Sequence, residues 1–292
     1  MKILIGGLSM ATMNEFTTLN KKDNVDYLIF DRLSEIPFIR HGFSTKNGGV
    51  SKGIFATMNL SFSRGDDKEA VLTNYNRLFS AIGFNLDNMI MSDQIHETDI
   101  MKIDEKKLEE INEKSNGLED RVCKNMDGLI TNLPNVPLVT FYADCVPLYF
   151  VDTVNKAIGL SHSGWRGTVK GMGIKTVEAL TREYGSNPKD IVAVVGPSIC
   201  RDCYEVSREV VDEFHNEYDG KFDVSSIYYA KENGKMQLDL WETNRQILLL
   251  AGLKPENIVV SEVCTSCHSD LLFSHRKTNG KRGNLVAVME IV

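Results

Sequence analysis

Ala143-Asp144-Cys145-Val146-Pro147-Leu148-Tyr149-Phe150-Val151 and, a few residues on, Ala157-Ile158-Gly159-Leu160-Ser161-His162-Ser163-Gly164-Trp165-Arg166-Gly167 are the stretch that decides the fold class. Leu148 to Val151 and Ala157 to Leu160 are short apolar runs bounded by turn residues, as in strands buried on both faces. Helical periodicity follows over Gly171 to Tyr184. Working outward, Val136 to Thr140, Ile191 to Val195, Ile258 to Val263 and Leu285 to Ile291 repeat the strand pattern. Lys68 to Ile82, Ser207 to Glu217 and Leu240 to Ala251 repeat the helical one, the last stopped by Gly252 as a C-cap. Strands mixed with helices predict an α/β fold, a sheet with helices on its faces. The Asn47-Gly48-Gly49 turn predicts a hairpin and hence a mixed sheet.

At 292 residues the length alone leans towards two domains. No repeat and no Pro- or Ser-rich linker marks a boundary, so one continuous domain is expected over 1–292. With 33 basic and 40 acidic residues the net charge is −7. That gives no electrostatic reason to bind nucleic acid or an anionic membrane and points to a small-molecule or protein partner. No run approaches the ~18 apolar residues of a membrane span. Lys2 followed by Ile3-Leu4-Ile5-Gly6-Gly7-Leu8 mimics a signal peptide, but Ser9, Thr12, Asn14 and Glu15 interrupt it. Six cysteines in a chain with so large a core read as thiols or metal ligands in a reducing cytoplasm, not as a disulfide framework. The mixed-sign run from Asp104 to Lys124 reads as a solvated helix and loop.

Three polar islands sit where apolar strands end: Asp93-Gln94-Ile95-His96, Ala143-Asp144-Cys145-Val146-Pro147 and Ser161-His162-Ser163-Gly164-Trp165-Arg166-Gly167. Strand ends in α/β sheets are where ligands bind. His96, Cys145 and His162 would supply three ligands to one Zn²⁺ and leave a fourth position for water. Singly, each has an ordinary reading: a surface loop histidine, an inert thiol, a hydrogen-bonded core histidine. The small residues Ser161, Ser163 and Gly164 favour close approach of a ligand. Asp144 reads either as a group orienting a ligand histidine or as a turn cap.

Cys200-Arg201-Asp202-Cys203 and Cys264-Thr265-Ser266-Cys267 are paired C-x-x-C motifs, the ligand pattern of a four-cysteine zinc site. Roughly 60 residues separate them, against ~15–20 in the common motif. Two thiol pairs near the pocket is the alternative.

The segments His41-Gly42-Phe43-Ser44-Thr45-Lys46-Asn47-Gly48-Gly49-Val50-Ser51, Met58-Asn59-Leu60-Ser61, Gln94-Ile95-His96, Asp127-Gly128-Leu129-Ile130-Thr131, Ala143-Asp144-Cys145-Val146-Pro147, His162-Ser163-Gly164-Trp165-Arg166-Gly167, Gly196-Pro197-Ser198-Ile199, Cys203-Tyr204-Glu205-Val206 and Phe273-Ser274-His275-Arg276 resemble, in order, the YfiH/YlmD or laccase-domain family. The resemblance starts at about His41, which makes residues 1–30 a family-variable N-terminal extension. It implies a single three-layer α/β/α domain with a mixed sheet, and a zinc site of His96, Cys145 and His162 as catalytic and metal-binding residues. It also implies phosphorolysis of purine nucleosides, methylthioadenosine included, with adenosine deamination as a second activity.

Phosphorolysis needs an anion cradle, for which Lys46, Arg166 and Arg276 are the candidates. Lys46 stands where an arginine is usual, and Glu97 where glycine is common, which narrows the site mouth. Phe43, Trp165 and Phe273 are candidates to stack on a purine, or core aromatics. Two other chemistries fit the same residues. Cys with two His also suits copper and phenol oxidation. Cys145 with His162 as base and Asp144 or a neighbour as orienter suits a hydrolase or editing amidase acting on cell-wall precursors. The expected protein is a cytoplasmic monomer or weak dimer with small-molecule nucleoside and phosphate as partners.

Overall fold

The computed structural model describes residues 2–5 and 8–292, with side chains from Met13 onward. Gly6 and Gly7 of the signal-like run lie outside the described residues. On either side of them Lys2–Ile5 and Leu8–Thr12 pair as antiparallel strands. Among the described residues no helix is long and apolar enough to cross a membrane.

A nine-stranded sheet runs in the order Lys2–Ile5, Leu8–Thr12, Thr17–Lys22, Val25–Phe30, Ile39–Ser44, Leu285–Ile291, Leu138–Tyr142, Ile90–Ser92, Val122–Cys123. A six-stranded sheet runs Ile258–Val260, Ile191–Val195, Val146–Asp152, Ala157–Ser163, Gly128–Thr131, Ile100–Lys102. Both are mixed, antiparallel through the middle and parallel at an edge. A small three-stranded sheet holds Glu205–Val206, Met236–Leu238 and Tyr228–Ala230.

The α/β class and the mixed pairing are as expected, but the β layer is two sheets thick, so four layers replace the expected three. Leu28, Phe43, Leu138 and Ala287 of the larger sheet pack directly on Tyr149, Val151, Leu160 and Val194 of the smaller one. Helix Lys68–Ile82 covers the outer face of the larger sheet through Tyr75, Leu78 and Phe79. Helices Met172–Tyr184, Arg208–Tyr218 and Leu240–Leu250 cover the smaller one, with Val177, Leu180, Phe214 and Ile247 against Phe150, Ala193 and Val195. The strand Leu285–Ile291 shows why sequence does not separate the two arrangements. Its Leu285, Ala287, Met289 and Ile291 face the other sheet while Val286 and Val288 face a helix. Both faces are apolar in either case.

The hairpin is the second correction. After Ile39–Ser44 the chain does not return as a strand. Gly48, at φ 92°, instead lets the backbone of Asn24 and Val25 approach, and a Cβ there would lie 2.4 Å from the Asn24 carbonyl oxygen. Gly49 N–H donates to Thr57 Oγ1 at 3.1 Å. The tight hairpin lies nearby at Asp23-Asn24, both at positive φ (52° and 64°), between Thr17–Lys22 and Val25–Phe30. Two short polar side chains there do what Asn-Gly does elsewhere.

Candidate active site

Register brings the polar islands to one rim. Val146 pairs with Ser163 and Pro147 with His162, so the residue before one strand meets the end of the next. Ser161 pairs with Gly128, and Gly128 with Ile100, which adds Asp127 and the loop carrying His96 to the same edge. Ligand atoms of His96, Cys145 and His162 all lie within 4.8 Å of one another. The two imidazoles stand nearly perpendicular, at 88°, with centroids 4.8 Å apart. His162 is buried, Cys145 half-buried and His96 exposed. Gly164 makes the convergence possible, because a Cβ there would lie 3.2 Å from both Cys145 Sγ and His96 Cδ2.

Asp127, a motif residue given no role in the sequence reading, holds the group together. It is fully buried. Its carboxylate accepts the His162 Nδ1–H bond at 2.8 Å and the backbone N–H groups of Ile95, His96 and Glu97 at 3.0, 3.1 and 3.0 Å. Three backbone donors fix a loop whose His96 sits at φ 66°, and the imidazole bond leaves Nε2 of His162 free to face Cys145. Burial alone would raise the Cys145 thiol, but the two imidazoles outweigh it and bring it down to about 6. Burial likewise lowers His162, yet the Cys145 thiolate and Asp127 lift it to about 9. The sulfur therefore has thiolate character, the state that ligates metal or attacks a carbonyl. A thiolate, an oriented imidazole and a second imidazole, with space kept by a glycine, suit a borderline metal ion such as zinc or copper.

Asp144 neither orients a ligand histidine nor caps its own turn. Its Oδ1 accepts from Thr265 Oγ1 and its Oδ2 from Arg276 N–H, both at 2.6 Å, so it fastens the Cys145 turn to the chain beyond residue 260.

The three donors open into a cavity of about 370 Å³, in the range of small-molecule sites. Its wall includes Arg64, Arg282, Gln94, Phe62, Phe141 and Tyr142. Arg282 is mostly buried, and its Nε has no hydrogen-bond partner among the described residues. Burial and then the nearby Arg64 charge lower it to about 10. Lys46, Arg166 and Arg276 are not part of this wall. Lys46 Nζ donates to the Ser269 carbonyl at 2.5 Å, Arg166 stacks over Trp165 at 4.3 Å, and Arg276 lies over the Tyr204 ring at 5.2 Å. Of the stacking candidates, Phe43 and Phe273 are core and Trp165 packs against helices. Glu97, half-exposed beside His96, pairs with Lys170. Arg64 and Arg282 carried no signal in the sequence, since one ends a 3₁₀ turn and the other lies in an irregular loop.

The paired C-x-x-C motifs also meet: Cys200, Cys203, Cys264 and Cys267 have sulfurs within 4.8 Å of one another.

Residues 40–292 match the family described as multi-copper polyphenol oxidoreductase laccase. The chain is 37% identical over 250 residues to the purine nucleoside phosphorylase YlmD of Bacillus subtilis, covering 84% of this chain and 86% of that one. It is 35% identical over 238 residues to the adenosine deaminase RL5 of an unknown prokaryotic organism, covering 80% and 87%. The crystal structure of the Bacillus licheniformis hypothetical protein YfiH superposes with a TM-score of 0.83 at 34% identity, over 91% of this chain and 96% of that one.

Proposed function

The chain belongs to the laccase-type family, and from that membership we propose that it is a zinc-dependent purine nucleoside phosphorylase that also deaminates adenosine and cleaves methylthioadenosine. The observation that carries the reading is one cavity holding both a thiolate–imidazole donor group and two neighbouring guanidiniums. Relatives named for phosphorolysis and for deamination support the same pair of reactions.

His96, Cys145 and His162 would hold the zinc, which when bound supplies Lewis acidity to the deamination step. Asp127 keeps the His162 imidazole in one tautomer and fixes the His96 loop. Phosphorolysis breaks the bond from ribose C1′ to the base as a phosphate oxygen bonds to C1′. Arg64 and Arg282 repel each other until an anion sits between them, so we assign the phosphate to them ahead of Lys46, Arg166 and Arg276. Phe62 and Phe141 offer apolar wall for a purine. Strands from both halves of the chain share the larger sheet, which supports reading 1–292 as one domain. The free thiols suit the cytoplasm.

The test is paired assays with a purine nucleoside: ribose 1-phosphate formation with phosphate, and ammonia release from adenosine without it. Arg282→Ala should raise the KM for phosphate at least tenfold while deamination stays within about threefold, a split of over ~0.7 kcal/mol. Equal loss of both, or phenol oxidation that tracks bound copper, would overturn the assignment.

One observation favours a second reading. Cys145, His162 and Asp127 also form a nucleophile–base–orienter series, the arrangement of a cysteine hydrolase acting on cell-wall precursors. Cys145→Ala separates the two: as a ligand, its loss removes metal and both nucleoside activities together. A variant that stays folded and metal-loaded but inactive would promote the hydrolase.

A further inference from the structure

Cys200, Cys203, Cys264 and Cys267 take no part in the chemistry above. They lie on two loops that leave neighbouring parallel strands, Ile191–Val195 and Ile258–Val260. Val195 pairs with Val260, and the pairing continues past the strands as a bridge between Ser198 and Cys264. Ser198 N–H donates to the Val263 carbonyl and Thr265 N–H to the Ser198 carbonyl, both at 3.2 Å. The long gap between the motifs in sequence is thus the length of chain between two adjacent strands, and it places no distance between the cysteines.

The four thiols are free. Cys203 and Cys267 sulfurs are 3.5 Å apart, and Cys200 and Cys267 sulfurs 4.0 Å. A tetrahedral ion with zinc–sulfur bonds of ~2.3 Å needs sulfur–sulfur edges of about 3.8 Å, and these distances bracket that value. The backbone supplies a second sign. Cys264, the buried member, receives N–H groups from Cys200 at 3.3 Å and from Cys267 at 3.4 Å. Two amide donors aimed at one sulfur suit a thiolate, since a neutral thiol is a weak acceptor. Four sulfurs leave no open position for water or substrate, which makes such a site structural.

We propose that Cys200, Cys203, Cys264 and Cys267 bind one structural zinc ion, separate from the His96–Cys145–His162 group. The ion fastens two loops that support the active-site rim. Thr265, between the second pair, donates to Asp144, and Ile199 N–H donates to the Asp144 carbonyl at 3.0 Å. Tyr204, next to Cys203, carries Arg276 on its ring.

Zinc content of the full chain, purified without added metal, is the test. Two equivalents are expected in the wild type and one in a Cys200→Ser/Cys203→Ser double variant. One is also expected in Cys145→Ala, but a different one: cobalt substitution should give tetrathiolate charge-transfer bands in Cys145→Ala and not in the double variant. If the double variant does not fold, alkylation of the wild type decides. The four cysteines should be protected from iodoacetamide until a chelator is added. A wild type that holds only one zinc and keeps it in the double variant, a double variant that still holds two, free alkylation with and without chelator, disulfide-linked peptides from these residues, or iron in their place would each overturn the proposal. None of these readouts uses nucleoside turnover, so failure here and failure of the proposed activity are distinguishable.

Discussion

Asp127 places one carboxylate between a ligand imidazole and three backbone amides of the His96 loop. Asp127→Asn removes the charge and lets the amide present N–H where acceptors are needed. Metal affinity of the His96–Cys145–His162 group should fall 10–100-fold, read by competition with a chromophoric chelator. Unchanged affinity would mean that the imidazole needs no orienting partner. Gly164→Ala tests the same group from the other side, since the new methyl would press on Cys145 Sγ and His96 Cδ2. Metal loading should drop while the melting temperature moves little, and a fully loaded variant would sink the argument. The three donors were visible in sequence because each ends an apolar run beside small residues. Asp127 was not, because its partners lie about thirty residues away on either side and only strand register brings them together. Arg64 and Arg282 were hidden for a related reason, as neither sits at a strand end.

Helix Leu240–Leu250 meets the site through one polar side chain. Asn244 lies fully buried among Ser163 Oγ at 3.0 Å, Thr168 Oγ1 at 3.3 Å and the Leu240 carbonyl at 2.8 Å. Ser163 and Thr168 flank the Gly164 turn, so this network seats the turn on the helix. Asn244→Ala would take one hydrogen bond each from the Ser163 and Thr168 hydroxyls, which keep their bond to each other, at a cost of ~1–2 kcal/mol. Denaturant unfolding should show that loss with an unchanged m-value, and a variant as stable as the wild type would rule the network out as a support. At this scale the sequence was most readable. The helix Lys68–Ile82 and the strands Ile191–Val195 and Leu285–Ile291 carry the boundaries expected from periodicity. The misplaced hairpin has a local cause, because Asn-Gly is the stronger turn signal while Asp-Asn achieves the same φ with less distinctive residues.

Across the whole molecule, the stacking of two sheets creates an interior with few places for charge, and His41 occupies one of them. Its Nε2 accepts the Phe30 N–H at 2.8 Å, and burial lowers its pKa from 6.5 to about 3. Above pH 6.5 neither the folded nor the unfolded chain carries this proton. Below it only the unfolded chain takes the proton up, so stability falls by ~1.4 kcal/mol per pH unit until the folded state also protonates. Stability measured from pH 6.5 down to 4 should decline steeply, and His41→Gln should flatten that slope. An equal slope in the variant would assign the acid sensitivity elsewhere. The doubled β layer itself was beyond sequence, since a strand apolar on both faces does not reveal whether its neighbour is a helix or another sheet.

Leu285–Ile291 lies between Ile39–Ser44 and Leu138–Tyr142, and both of those are synthesised long before it. A nascent chain on the ribosome therefore carries two strands whose facing edges stay open until this late segment emerges. Open edges are templates for pairing with the wrong chain, and long-range pairing of this kind is slow. Translation delivers the piece that joins the two halves of the larger sheet well after both of them, so a polypeptide stalled before it would present two unpaired edges to its neighbours.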